Sequence, residues 1–528
     1  MHKSQILLRS HMTPLQRAVL FSQHSVMAVQ SQRFKSGNTK TINTQPDSGE
    51  TQSEQIRKIF AKDSTYKLIK KLYIYKMMSS NLFINHSLTA MNVMYKTAGV
   101  KFTNLLVNKT AGEVFTSGET IKSLIQDIEA LEKSNIGGVA NYVAEGLHVM
   151  DESIIQHTLK DLMDSIEAIT HNKPEGGLAI KLTALISIDI MTRVSKAQEK
   201  LLEDILQVWT KPEPISKNEI QQGFSKQGVQ VSEDELNWFM AKIKLPENNS
   251  DMVTQIERYA NTHILPLVPS ERHPFLIKLC KHFGVTDSDL QYFDTFAKRV
   301  IEMTAFAHQR NCLLYVDAEQ TYMQREIDSI AAQLTQRFNR GEKTIIMNGF
   351  QNYLKITAKK IPLEIQTSRK LGYNLGIKLI RGAYMNEERR LAQEGSYESP
   401  ICETIQDTHN TYNTNLHQVL EVLGQNERIL IGSHNLESVE IAKTILRQRN
   451  IIDGRAKFGQ LKGFSDQITG QLANEGFTVI KYLPYGPTEK VMPYLVRRGQ
   501  ESKQVLREQK FQNDCLKGEI KRRMSFSK

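Results

Sequence analysis

Residues 377–384 read Ile-Lys-Leu-Ile-Arg-Gly-Ala-Tyr. Four residues are too few for a free-standing helix, and they are apolar on both sides of the chain. Such a run suits a strand buried on both faces, as in a parallel sheet. Lys378 inside it is costly unless paired or liganded, and the run stops at charge followed by glycine. Seven further short runs share this texture: Gly137–Val143, Leu178–Leu185, Cys312–Val316, Thr344–Met347, Ile429–Ile431, Ala456–Phe458 and Thr478–Tyr482. Helical stretches with surface charge lie between most of them. Strand alternating with helix eight times predicts an α/β fold, a (β/α)8 barrel rather than an open sheet. Residues 131–510 are its expected extent.

Outward from the barrel, three regions are expected. Residues 47–130 read as a helical N-terminal region, with apolar residues at i, i+3 and i+4 from about Glu54. Residues 511–528 read as a basic C-terminal tail of solvated charge. About 125 residues separate the second and third runs, and they read as a helical insertion over about 190–311. Within it, Ser232-Glu-Asp-Glu235 is a capping box. Thr286 precedes a helical stripe of Phe293, Phe296, Val300, Met303 and Ala307, whose helix should return to the barrel.

Charge is uneven. Lys plus Arg is 68 and Asp plus Glu is 57, a net +11. Residues 1–46 hold Lys3, Arg9, Arg17, Arg33, Lys35 and Lys40 and no acid. Leu7, Leu8, Met12, Leu15 and Val19 lie at helical spacing among Ser and Gln. An acid-poor, Arg-bearing amphipathic start reads as a mitochondrial transit peptide, with cleavage expected near 33–37. Taking those six charges from +11 leaves +5, so no nucleic-acid partner is expected, and no aromatics interleave with basic runs. No run of 18 apolar residues exists to span a bilayer. Cys280, Cys312, Cys402 and Cys515 form no C-x-x-C, so no metal site and no disulfide framework are expected. The dinucleotide and P-loop glycine patterns are absent, so a cofactor would be held by other means.

Barrel enzymes work at the C-terminal ends of their strands. Those ends carry Lys181, Asp317-Ala-Glu319, Gln351, Lys378 with Arg381-Gly382-Ala383-Tyr384, Ser433-His434-Asn435, Gln460-Leu461 and Tyr482. A helix then holds Tyr494, Arg497, Arg498 and Glu501, with Pro493 inside it. Adjacent arginines project about 100° apart. Glu501 is four residues from Arg497 and three from Arg498 and can orient either. Paired guanidiniums suit a carboxylate.

Leu314-Tyr-Val-Asp-Ala-Glu-Gln-Thr-Tyr-Met-Gln324, Lys378-Leu-Ile-Arg-Gly-Ala-Tyr384, Ser433-His-Asn435, Phe458-Gly-Gln-Leu461 and Lys481-Tyr-Leu-Pro-Tyr-Gly486, leading to Tyr494-Leu-Val-Arg-Arg498, run in order. They resemble proline dehydrogenase (proline oxidase), the eukaryotic mitochondrial type, from about 130 to 505. The resemblance implies an FAD-bearing barrel that oxidises L-proline to Δ1-pyrroline-5-carboxylate. It implies ubiquinone as acceptor and peripheral contact with the matrix side of the inner mitochondrial membrane. Carried over, Lys181, Arg497 and Arg498 would hold the substrate carboxylate and Asp317 would support them. Leu461, Tyr482 and Tyr494 would pack on the ring, and Glu145 would gate it. Asp317, Gln351, Lys378, Arg381, Gly382, Ala383, Tyr384, Ser433, His434, Asn435, Gln460, Leu461 and Glu501 would border the flavin. Ser433 stands where Thr is common, and keeps the hydroxyl. Hydroxyproline oxidation on the same scaffold is the nearest alternative; Tyr482 argues for proline, since that position is smaller in hydroxyproline dehydrogenases. An FAD barrel reducing a folate is a further alternative, which the arginine pair opposes. A catalytically dead, membrane-associated scaffold is the alternative from another class.

Overall fold

The computed structural model describes residues 59–525, apart from 62, 79, 144–145, 172–176 and 502–504. The side chains at 78, 81–85, 88, 492 and 497–511 are also outside the description. The expected transit segment and Glu145 therefore lie outside the described residues.

Eight parallel strands close a barrel: β1 (Ile136–Tyr142), β2 (Gly177–Ile180), β3 (Leu313–Val316), β4 (Ile346–Gln351), β5 (Gly376–Ile380), β6 (Arg428–Gly432), β7 (Ala456–Leu461) and β8 (Val479–Tyr485). Each pairs with its sequence neighbours, and β8 returns to β1 with Ile136 opposite Val479. The fold expected from the eight runs is the fold found. Its interior is a compact cluster of Val139, Ala179, Leu313, Tyr315, Met347, Leu430, Ile480 and Tyr482. Outward-facing apolar residues meet the surrounding helices in two larger cores.

Four strand ends differ from expectation, β7 among them, which runs past Phe458 through Gln460 to Leu461. The second run does not continue to Leu185: Leu182–Ala184 is a 3-10 turn, so Lys181 sits just past β2 rather than within it. β4 extends through Gln351, which is a strand residue. β8 continues past Tyr482 through Pro484. Proline removes a ladder donor, but β7 pairs with β8 only as far as Leu461 opposite Tyr482. Pro484 therefore lies beyond the ladder it would have broken.

The long β2–β3 connection is helical. Ser232 caps Glu233–Ile243, and Glu235 answers the Ser232 N–H at 2.9 Å. Thr286 caps Asp287–Gln309, which buries Phe293, Phe296, Val300, Met303 and Ala307 and packs against β3. Arg258, fully buried, knits the segment together. Its guanidinium donates to the carbonyls of Leu206 (2.7 Å), Lys211 (2.8 Å) and Glu213 (2.6 Å).

N-terminal helices Thr65–Met78, Asn81–Ala98 and Val100–Val107 precede the barrel. The C-terminal residues expected as a solvated tail instead continue a helix, Val505–Ser525, that packs on Thr65–Met78. Leu516 is fully buried there. Arg522 and Arg523 are not a loose basic pair: both bond Glu519, at 2.8 and 2.7 Å, and Arg523 also reaches the Asp63 carbonyl at 2.6 Å. The four cysteines are buried free thiols.

Candidate active site at the barrel mouth

A cavity of about 300 Å³ opens at the C-terminal ends of the strands. Lys181, Asp317, Lys378, Arg381, Gly382, Ala383, Tyr384, Ser433, His434, Asn435, Gln460, Leu461, Tyr482 and Tyr494 all line it. They come from six strand ends and one helix, so closing the sheet is what brings them together.

The floor is built from inward-pointing strand positions. Lys378 Nζ bonds Asp317 Oδ1 at 2.5 Å and lies 4.9 Å from the centre of the Tyr482 ring. Tyr315 meets that ring edge-on at 6.0 Å. The Tyr482 hydroxyl is buried with no hydrogen-bond partner among the described residues. Burial, and then the nearby Asp317 charge, hold that phenol far above its ordinary pKa, so it stays neutral. Lys181 makes no side-chain hydrogen bond or ion pair among the described residues. Behind it, Glu319 accepts from the Thr183 hydroxyl at 2.7 Å, and burial raises its pKa.

The wall after β5 and β6 is cationic and tightly held. Arg381 lies 4.1 Å from the centre of the Tyr412 ring and donates to the hydroxyls of Ser433 (3.1 Å) and Ser438 (2.8 Å). Asn435 caps helix Leu436–Gln448 through the Ser438 N–H. His434 Nε2 accepts from the Leu461 N–H at 3.1 Å. That fixes its tautomer, with the proton on Nδ1. The ring stacks on Phe464 at 5.7 Å.

Phe464 belongs to a gripped turn. Phe464 leans at a tilt on Phe115 (5.1 Å), and Phe115 on Tyr75 (5.9 Å). Gly463 has φ +79°, and a Cβ there would lie 2.7 Å from the Val114 carbonyl oxygen, so only glycine fits. Lys481, buried, donates to the Phe464 carbonyl at 2.6 Å and pairs with Asp466 at 3.0 Å.

Gln351 is not a lining residue. It is buried, donates to the Glu319 carbonyl at 3.0 Å, and leaves its Oε1 without a partner among the described residues. Helix Thr488–Glu501 carries Arg497, Arg498 and Glu501, whose side chains lie outside the description. The sequence reading missed Asn141, at the end of β1, and Thr408 and His409, from helix Ile405–Val422. Asn141 extends the inward alternation of Val139 and could have been found; nothing in the sequence marks the other two. Burial and then Arg381 lower the His409 pKa.

A family model described as proline dehydrogenase matches residues 124–510. This chain belongs to the proline dehydrogenase family. Among curated relatives, proline dehydrogenase 1, mitochondrial, of Caenorhabditis elegans is 28% identical over 415 residues, 74% of this chain and 65% of its own length. The human protein of the same name is 31% identical, over 69% of this chain and 63% of that one. The chain thus spans somewhat under two thirds of these two family members. Hydroxyproline dehydrogenase of Xenopus laevis is 34% identical over 46% of this chain and 52% of that one. A crystal structure of proline utilization A from Bdellovibrio bacteriovorus, inactivated by N-propargylglycine, shares the fold. It gives a TM-score of 0.52 at 14% identity, over 94% of this chain and 42% of that chain.

Proposed function

We propose that this family member oxidises L-proline to Δ1-pyrroline-5-carboxylate with FAD, and passes the electrons to ubiquinone. The observation that carries the reading is the Lys378–Asp317 pair beneath Tyr482, with Lys181 uncommitted on the same cavity. Mitochondrial naming of the relatives and the basic start of the chain support a mitochondrial site, on the matrix side of the inner membrane. We assign residues 1–46 to a transit segment, 47–130 to an N-terminal helical region and 131–510 to the catalytic barrel.

The residues present fit the flavin. Lys181, Lys378 and Arg381 give the lining a net positive charge, suited to a pyrophosphate and to a reduced anionic ring. The turn after β5 leaves room for close approach: Gly382 has φ +107°, with no atom within 4 Å of where a Cβ would stand. Lys378, Arg381, Gly382, Ala383, Tyr384, Ser433, His434, Asn435, Gln460 and Leu461 would hold it, with Gln351 behind them and Glu501 added by the resemblance. Bound there, FAD would accept the hydride lost from the substrate ring.

The chain's own residues position that ring. Lys181, Arg497 and Arg498 hold the carboxylate, and Asp317 fixes the cationic floor through Lys378. Leu461, Tyr482 and Tyr494 pack the pyrrolidine and exclude water, and Glu145 would gate the substrate, as the resemblance implies. Placing the reacting carbon about 3–3.5 Å from its acceptor is the larger part of the catalysis. The cationic surroundings favour an uncharged ring nitrogen, whose lone pair forms the C=N bond as hydride departs; that nitrogen then loses its remaining proton. Hydroxyproline is the second reading, favoured by the Xenopus relative, and the bulk of Tyr482 argues against it.

The test is the visible spectrum of the purified full chain. A yellow protein that bleaches on adding L-proline without air, and less on adding hydroxyproline, is expected. A protein that stays colourless when offered FAD overturns the reading.

A further inference from the structure

The N-terminal helical layer carries a surface that the active site does not use. From residue 64 to 112 the sequence holds seven lysines and no Asp or Glu. Its large apolar side chains are unusually bare. Tyr66 is 75% exposed and Tyr73 65%, with Ile69 between them on the same side of helix Thr65–Met78. Phe102 and Leu105 are each 57% exposed, with Leu106 beside them on helix Val100–Val107. These spacings of three, four and seven residues draw one stripe along each helix.

Lysines border each stripe. Lys76 follows Tyr73 by three residues, and Lys109 follows Leu106 by three. Lys96 is in the last turn of the second helix and Lys101 in the first turn of the third. All four are exposed, and none makes an ion pair among the described residues. The opposite sides of these helices are committed to the protein. Leu68 and Tyr75 are buried, and Asn104 bonds Glu489 at 2.7 Å, on helix Thr488–Glu501. No helix among the described residues is long and apolar enough to cross a membrane.

We infer that this face docks on an anionic phospholipid surface, with Tyr66, Ile69, Tyr73, Phe102, Leu105 and Leu106 entering the headgroup–acyl boundary. Apolar stripes flanked by basic residues lie in the plane of such an interface, and the lysines snorkel to the phosphates. The choice of a lipid over a protein partner rests on charge: the whole segment is basic and carries no acid to discriminate or pair. The inference deepens the membrane contact in the reading above by naming its surface. Helix Asn81–Ala98 of this layer packs on helix Thr488–Glu501, whose Tyr494 lines the cavity. Docking would therefore bring the layer next to the cavity onto the bilayer.

The experiment is flotation of the full chain with vesicles of phosphatidylcholine alone and of phosphatidylcholine with about one quarter phosphatidylserine. Three proteins are compared: the natural chain, a Phe102→Ser/Leu105→Ser variant, and a Lys96→Gln/Lys101→Gln/Lys109→Gln variant. Residues 1–58 are the same in all three, so their contribution cancels. Unchanged circular dichroism and thermal midpoint establish that the exposed replacements leave the fold intact. The natural chain should float with the charged vesicles and not the neutral ones. Each neutralised lysine should weaken partitioning roughly fivefold, and the serine pair should weaken it at least tenfold. Equal flotation of all three proteins, or no flotation, overturns the inference. A dimer of the natural chain that both variants abolish, without flotation, would assign the face to a second copy and overturn it too. Proline oxidation measured with a soluble dye acceptor is read separately. Its loss in all three proteins would sink the proposed reaction and leave the vesicle result standing.

Discussion

Two buried cations, Arg258 in the long insertion and Lys378 at the barrel mouth, face the same desolvation cost and meet it differently. Arg258 spends its donors on backbone carbonyls of one segment, 206–213, and on Thr254. Lys378 has one carboxylate and one ring face. Around Arg258 the hydrogen bonding is complete and closes a chain segment. Around Lys378 it is incomplete: the hydroxyl of Tyr482, whose ring it faces, is buried without a partner among the described residues. A buried charge therefore does not by itself mark a site. Unfilled hydrogen-bonding capacity converging on a cavity does.

The comparison can be broken by exchanging each cation for methionine. Arg258→Met removes a donor from five backbone carbonyls and should cost about 3–5 kcal/mol of stability, read by denaturant titration. The surviving folded fraction should keep its turnover. Lys378→Met should behave in reverse. Its midpoint should move by no more than about 1–2 kcal/mol, while turnover with proline falls about 10²–10³-fold. Equal stability losses in the two variants would refute the distinction.

A smaller effect sharpens it. His263, in the insertion, shares a 3.0 Å hydrogen bond with Ser329, and burial, then Lys242 and Arg337, push its pKa down to about 4. An unfolded histidine titrates near 6.5. Below that pH only the unfolded chain takes the proton, so stability should fall as pH drops from 6.5 toward 4, by about 2–3 kcal/mol. His263→Gln should flatten that slope without shifting the pH profile of turnover.

The barrel was legible because strands buried on both faces leave apolar runs that no exposed element would tolerate. Their ends were less so. The turn after Lys181 and the extension through Pro484 depend on which neighbour is still paired at that level, and spacing does not record it. Most of the mouth could be anticipated, since Lys181, Asp317, Lys378 and Tyr482 interrupt or terminate apolar runs. Thr408 and His409 could not, because they reach the cavity from the side of a surface helix. The C-terminal helix was misread because its charges outnumber the apolar residues that dock it; Glu519 holds both Arg522 and Arg523 from the preceding turn.

The turn gripped around Gly463 bears on how far the folded unit extends. Tyr75 and Phe115 precede the family-matched residues 124–510, and Gln512 follows them. Gln512 joins the two sides, accepting from the Ser465 N–H at 2.8 Å and donating to the Tyr75 hydroxyl at 2.9 Å. A protein trimmed to the family boundaries would keep every strand and lose the backing of His434 and Leu461. The structural unit is wider than the family-matched one, and its outer margins brace the ring cluster from both sides.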